Sequence, residues 1–137
     1  MPATEQILLK NIMLIDDNDT DLFICQKVLQ MTDPKREITS FTSAQDALEN
    51  LKISTIEKIP DTIFLDINMP GMNGFMFLME FENLPQEIIS SCKIIVLSSS
   101  NSSKDINSMK ENPHVVCFLT KPLNTEYLKK LQSLQYK

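Results

Sequence analysis

Glycine is nearly missing from this chain: 137 residues contain two, Gly71 and Gly74. That scarcity excludes a glycine-rich phosphate loop after the first strand. Tryptophan is absent, and the single histidine, His114, follows Pro113 in a loop and reads as a solvated side chain. The three cysteines, Cys25, Cys92 and Cys117, are odd in number and lack metal-ligand spacing. They read as reduced, mostly buried thiols of a cytosolic protein. Basic charge is not in excess: 13 Lys and Arg against 18 Asp and Glu leave a formal charge of -5, which opposes nonspecific binding to nucleic acid or an anionic membrane. No apolar run approaches the length of a membrane span, and Met1–Gln6 has neither the basic start nor the apolar core of a signal peptide. The expectation is a cytoplasmic protein whose partners are proteins, with no nucleic acid and no membrane among them.

What is present is organised by four short apolar runs: Ile12 to Ile15, Ile63 to Leu65, Ile94 to Leu97 and Val115 to Leu119. Runs of this kind suit strands buried on both faces of a parallel sheet. Glu37–Phe41 alternates polar and apolar residues, as an edge strand does. Helical spacing fills the gaps. Ala44, Ala47, Leu48 and Leu51 follow i, i+3, i+4, i+7 behind Ser43 as N-cap. Leu22, Cys25 and Leu29, with Ile24, Val28 and Met31, form a broader face ending before Pro34; Phe75 to Phe81 is dense in Phe, Met and Leu; Leu128, Leu131 and Leu134 make a final stripe. Between Ser103 and Glu111 only Ile106 and Met109 are apolar, which predicts a lightly anchored helix. The order is β-α repeated five times, a doubly wound α/β sheet with right-handed crossovers. Its length fits one domain, expected to span residues 1–137 with a core from about 11 to 134 and no output domain.

Ligands of an open α/β sheet bind outside the carboxyl ends of its strands. The apolar strands end in Asp16-Asp17, Asp66, Ser98 and Thr120-Lys121-Pro122, so three carboxylates, a hydroxyl and an ammonium share one rim. Each has a plain alternative: the acidic pair could cap the next helix, Asp66 could open a turn, Ser98 could cap, and Lys121 could be an ordinary surface lysine. Together they are chemically coherent. Adjacent carboxylates repel unless a cation joins them, and a hard divalent ion such as Mg²⁺ takes oxygen ligands. With such an ion and Lys121 beside it, Asp66 can act as an oxygen nucleophile toward a phosphoryl group. Both glycines fall in Met69-Pro70-Gly71-Met72-Asn73-Gly74, just past Asp66, where they either make room for a ligand or reverse the chain.

In these motifs the sequence resembles the receiver domain of two-component response regulators, from about Asn11 to Leu134, as a stand-alone type. The resemblance implies a flavodoxin-like (βα)5 fold with five parallel strands in the order 2-1-3-4-5. It implies that Asp66 accepts a phosphoryl group from a phosphohistidine donor, a histidine kinase or a histidine phosphotransfer protein. Asp16, Asp17, Asp66 and the Asn68 backbone carbonyl would hold Mg²⁺, and Ser98 and Lys121 would contact the phosphoryl oxygens. Ser98 and Phe118 would be the switch pair, Phe118 standing where many relatives have tyrosine, and the Lys121–Pro122 bond would be cis. The output would be contact with a downstream target protein through the helix after the fourth strand, the fifth strand and the last helix, by a monomer or weak homodimer that turns over no external substrate.

Three rivals are weaker. An aspartyl-phosphate phosphohydrolase resembling the haloacid dehalogenase type needs a second Asp two residues after the nucleophile, where this chain has Asn68. A flavin carrier of the same fold lacks its glycine-rich loop here, and Asp16-Asp17 would repel a phosphate. A receiver-shaped module working without phosphorylation has nothing in its favour, because every group the chemistry needs is present. The segment Met69, Met72, Met76 and Met79 reads as adaptable packing, part of which could face a partner.

Overall fold

The computed structural model describes residues 5–133 together with 135 and 136. Five parallel strands form one sheet: β1 (Asn11–Ile15), β2 (Glu37–Phe41), β3 (Thr62–Leu65), β4 (Lys93–Ser98) and β5 (Val115–Thr120). Their order is β2-β1-β3-β4-β5, the expected arrangement. The helices are α1 (Asp19–Thr32), α2 (Ala44–Ile53), α3 (Gly74–Phe81), α4 (Gln86–Ser91), α5 (Ser103–Glu111) and α6 (Thr125–Ser133). A two-residue antiparallel pairing joins Glu5–Gln6 to Gln135–Tyr136.

Strand periodicity sorts the core into two layers. Met13, Ile15, Ile63, Leu65, Ile94 and Val96 face α2, α3, α4 and α5, packing on Leu48, Leu51, Phe77, Phe81, Ile88 and Met109. Ile12, Leu14, Phe64, Ile95 and Leu97 face the other way, onto Leu22, Cys25 and Leu29 of α1 and Leu128 and Leu131 of α6. Each fully buried Leu, Ile or Phe contributes about 1.5–3 kcal/mol, so both layers hold the strand ends firmly. The starts of α1, α2, α3 and α5 are capped by side chains: Asn18, Ser43, Asn73 and Ser102 accept from backbone N–H groups three residues on.

The structure corrects several details. β5 is an edge strand and not one buried on both faces: Val115 to Phe118 are only half-buried, and a bulge between its pairings with Ile94 and Ile95 leaves Val116 without a partner. The broad face expected of α1 narrows to Leu22, Cys25 and Leu29 with half-buried Val28 packed beside them, while Ile24 and Met31 are exposed at 36% and 77% because the sheet covers only one stripe. The short α4, with Ile88 buried, is a helix that the sequence pattern does not predict, because its 6 residues are too few to display helical spacing. His114 is half-buried rather than solvated, edge-on to the Phe81 ring at 5.6 Å and 3.4 Å from Glu82. Met69 and Met72 pack into the core, whereas Met76 and Met79 lie on the surface. The stripe position Leu134 lies outside the described residues. No helix of the described residues is long and apolar enough to cross a membrane.

Candidate functional site

Strand order reverses between β1 and β3, and the chain exits both strands at the same edge. Backbone bonds continue the sheet one step further there: Asp16 N–H donates to the Phe41 carbonyl, Asp66 N–H to that of Ile15, and Lys121 N–H to that of Ser98, at 3.0, 3.0 and 2.9 Å. These bonds fix the first residue after each strand. The carboxylates of Asp16, Asp17 and Asp66 each offer an oxygen within 4.8 Å of the others, with Asp16 and Asp66 buried and Asp17 exposed.

Each buried carboxylate is oriented by a local N–H. Asp16 Oδ1 accepts from Asn18 N–H at 2.9 Å, and Asp66 Oδ1 from Ile67 N–H at 2.8 Å. Their second oxygens turn toward Lys121, whose Nζ lies 2.6 Å from Asp16 Oδ2 and 3.3 Å from Asp66 Oδ2. A third carboxylate, Asp21 in the first turn of α1, reaches the same ammonium at 2.6 Å. Burial alone would lower the Lys121 pKa, but the bonds from Asp16 and Asp21 and the charge of Asp66 outweigh it and hold it above the ordinary value. For Asp16, burial pushes the pKa up; the Lys121 and Asn18 bonds oppose the rise and the Asp66 charge adds to it.

Ser98 ends β4 fully buried, and its Oγ accepts from Ser100 N–H at 3.2 Å, an arrangement that leaves its own proton free to donate elsewhere. Ser100 in turn donates to Asp105 at 3.0 Å, tying the β4–α5 loop to the first turn of α5. Phe118 is half-buried on β5, packed against the layer that holds α2 to α5. The Lys121–Pro122 bond is cis. Asn68 is exposed two residues past Asp66, and among the described residues no hydrogen bond is made to its carbonyl. Asp16, Asp17, Asp66, Ser98 and Lys121 thus share one rim, with Phe118 on a neighbouring strand. Asp21 was missed as a partner of Lys121: the run Asp16 to Asp21 holds four aspartates, and only the α1 phase singles one out.

The family model of the response regulator receiver domain matches residues 12–132. The chain belongs to that family. The receiver is 32% identical over 126 residues to the sensor histidine kinase CheAY of Helicobacter pylori, matching 85% of this chain and 14% of the kinase. It is 28% identical to the response regulator Rcp1 of Synechocystis, over 89% of this chain and 83% of that protein. Among solved structures, a response regulator receiver protein from Dyadobacter fermentans superposes with a TM-score of 0.80 at 32% identity, covering 89% of this chain and 94% of that one. The Mn²⁺-bound form of Rcp1 superposes at 0.69 with 28% identity, covering 90% and 89%. The receiver spans 7% to 20% of the length of three of the curated relatives, CheAY included.

The acidic trio suits a hard divalent cation in chemistry as well as spacing. All its donors are oxygens, one carboxylate is open to solvent, and two buried carboxylates face each other across a single ammonium.

Proposed function

We propose that this receiver is a phosphoacceptor whose Asp66 takes a phosphoryl group from a phosphohistidine donor, with Mg²⁺ held by Asp16, Asp17, Asp66 and the Asn68 carbonyl. The observation that carries the reading is the meeting of the acidic trio within 4.8 Å beside an ammonium 3.3 Å from Asp66. That a relative, Rcp1, has a Mn²⁺-bound form supports the divalent site.

An Asp66 carboxylate oxygen attacks phosphorus; the new O–P bond forms as the N–P bond to the donor imidazole breaks, and the nitrogen keeps the electron pair. Little covalent help is required, because phosphoryl transfer depends on positioning and on neutralising charge. Mg²⁺, when bound, supplies countercharge to the phosphoryl oxygens. Lys121 already lies beside Asp66 and needs only a small shift of its Nζ to reach a phosphoryl oxygen there. The Ser98 proton, free in the present geometry, is a second donor, and its movement would pull on the Ser100–Asp105 link into α5. Helix α5 buries only Met109 among its side chains, and so light an anchor lets it shift. Phe118 lacks a phenolic hydroxyl, so its part in the switch rests on packing.

The donor is a histidine kinase or histidine phosphotransfer protein, and the output is contact with a downstream target protein through α5, β5 and α6. The protein works in the cytoplasm, as a monomer or weak homodimer, and turns over no external substrate. Incubation with acetyl phosphate and Mg²⁺ followed by intact mass measurement tests the reading. One phosphoryl group should add, and chelation of the metal or Asp66→Asn should abolish it. An adduct that survives Asp66→Asn contradicts the assignment.

A further inference from the structure

Three carboxylates share the Lys121 ammonium, and they are not equivalent. Asp16 and Asp66 belong to the acidic trio; Asp21 does not. Asp21 follows the N-cap Asn18 in α1, and its backbone N–H is already satisfied by Asn18 Oδ1 at 2.9 Å. The Asn18 N–H, which a carboxylate at this position would otherwise cap, already donates to Asp16 Oδ1 at 2.9 Å, so the Asp21 carboxylate is not needed to cap the helix. It is 32% exposed, yet it lies closer to Lys121 Nζ than Asp66 does, at 2.6 against 3.3 Å.

A divalent cation on the trio competes for oxygens that two of the ammonium's partners now direct at Lys121. Phosphorylation of Asp66 then esterifies one of those partners. Asp21 is the one that neither event removes. We infer that Asp21 is a positioning residue acting through Lys121: it shares the ammonium equally with Asp16 and holds it off Asp66 in the resting chain, which leaves both carboxylates less committed to it when a cation arrives, and it then competes with the phosphoryl group for the same ammonium. The inference rests on the reading of Asp66 as phosphoacceptor. It gives Asp21 opposite effects on the two ligands of one site, an outcome that loss of structure cannot mimic.

Calorimetric titration of the full chain with Mg²⁺ alone, and then with beryllium fluoride as a phosphoryl mimic at saturating Mg²⁺, separates the two effects. In Asp21→Asn and Asp21→Ala the Mg²⁺ dissociation constant should rise about three- to tenfold and that for beryllium fluoride should fall by a similar factor, the scale expected for a partly exposed ion pair. In a Lys121→Ala background, Asp21→Asn should leave the Mg²⁺ constant within about twofold, because the coupling runs through the missing ammonium. Constants that move together, that do not move, or that shift equally without Lys121 overturn the inference. Wild-type protein that binds both ligands while the Asp21 variants match it overturns the inference alone. Wild-type protein that binds no beryllium fluoride and gains no phosphoryl mass overturns the phosphoacceptor reading and the inference with it.

Discussion

A Cβ placed on Gly74 would lie 2.7 Å from the Asp66 carbonyl oxygen and 2.9 Å from Ile67 Cα. Gly74 N–H donates to the Ile67 carbonyl at 2.8 Å, so the first turn of α3 is pressed against the backbone that carries Asp66. Gly71 differs, with a φ of +75° and open space around it. One glycine reverses the chain and the other admits a close approach. Gly74→Ala should cost about 1–3 kcal/mol by forcing two backbone segments apart, and should slow phosphorylation of Asp66. Gly71→Ala should cost about 1–2 kcal/mol through its backbone conformation while sparing the phosphorylation rate. Denaturant unfolding with phosphorylation kinetics of both variants checks this; a Gly74→Ala protein with unchanged kinetics would contradict it.

Lys121 neutralises two buried carboxylates, the three side chains being 11%, 9% and 7% exposed. Lys121→Ala should therefore lower stability by about 1–3 kcal/mol in the absence of metal. Mg²⁺ should return much of that loss, because it binds only the folded arrangement and neutralises the same oxygens. The lysine's folded pKa lies above 10.5, so its contribution is fully present below that value and lost as pH rises through the folded one. Thermal melting of both proteins with and without Mg²⁺, at about pH 7 and about pH 9, should show a penalty that shrinks with metal and does not change between the two pH values.

Burial pushes the Cys25 and Cys92 thiols up to about 12, the Asp16 charge adding to the rise at Cys25. Because the folded values exceed the ordinary 9.0, the stability these thiols contribute is fully present below pH 9.0 and declines above it. Labelling with a thiol reagent at about pH 8 should modify half-buried Cys117 first, with Cys25 and Cys92 reacting only as fast as the fold opens. Equal rates at all three would contradict the burial described.

Arg36 is buried and spends its guanidinium on backbone: Nε donates to the Leu9 carbonyl at 2.9 Å and a terminal nitrogen to that of Leu29 at 2.7 Å, with Thr32 Oγ1 as a further partner. It ties the segment before β1 to the end of α1. Arg36→Met should cost about 1–3 kcal/mol through carbonyls left unpaired, without altering Mg²⁺ binding at the far ends of the strands. Denaturation and metal titration of the variant test both halves.

Much of this architecture was legible because its signals are local. Ile63–Leu65 ending at Asp66, and Ile94–Leu97 ending at Ser98, announce a strand and its rim residue in adjacent positions. The strand order was not of this kind; it came with the family resemblance, and the sheet agrees with it. What escaped depends on angle and on the far partner. Nothing within Val115 to Leu119 says that one edge of the strand lacks a neighbour, so its half-burial was invisible. The exposure of Ile24 and Met31 depends on how wide a stripe of α1 the sheet covers. Asp21 meets Lys121 across 100 positions of sequence, and among four nearby aspartates only the helix phase selects it. His114 was read from its loop, whereas the Phe81 ring that receives it belongs to α3.

As proposed, Asp66 and no other carboxylate of the rim carries the phosphoryl group. Phosphorylated protein reduced with borohydride converts an acyl phosphate at an aspartate to homoserine, which peptide mass mapping can place. Homoserine at position 66 alone, absent without Mg²⁺, is the predicted result; homoserine at position 16, 17 or 21, or at none, would contradict the account.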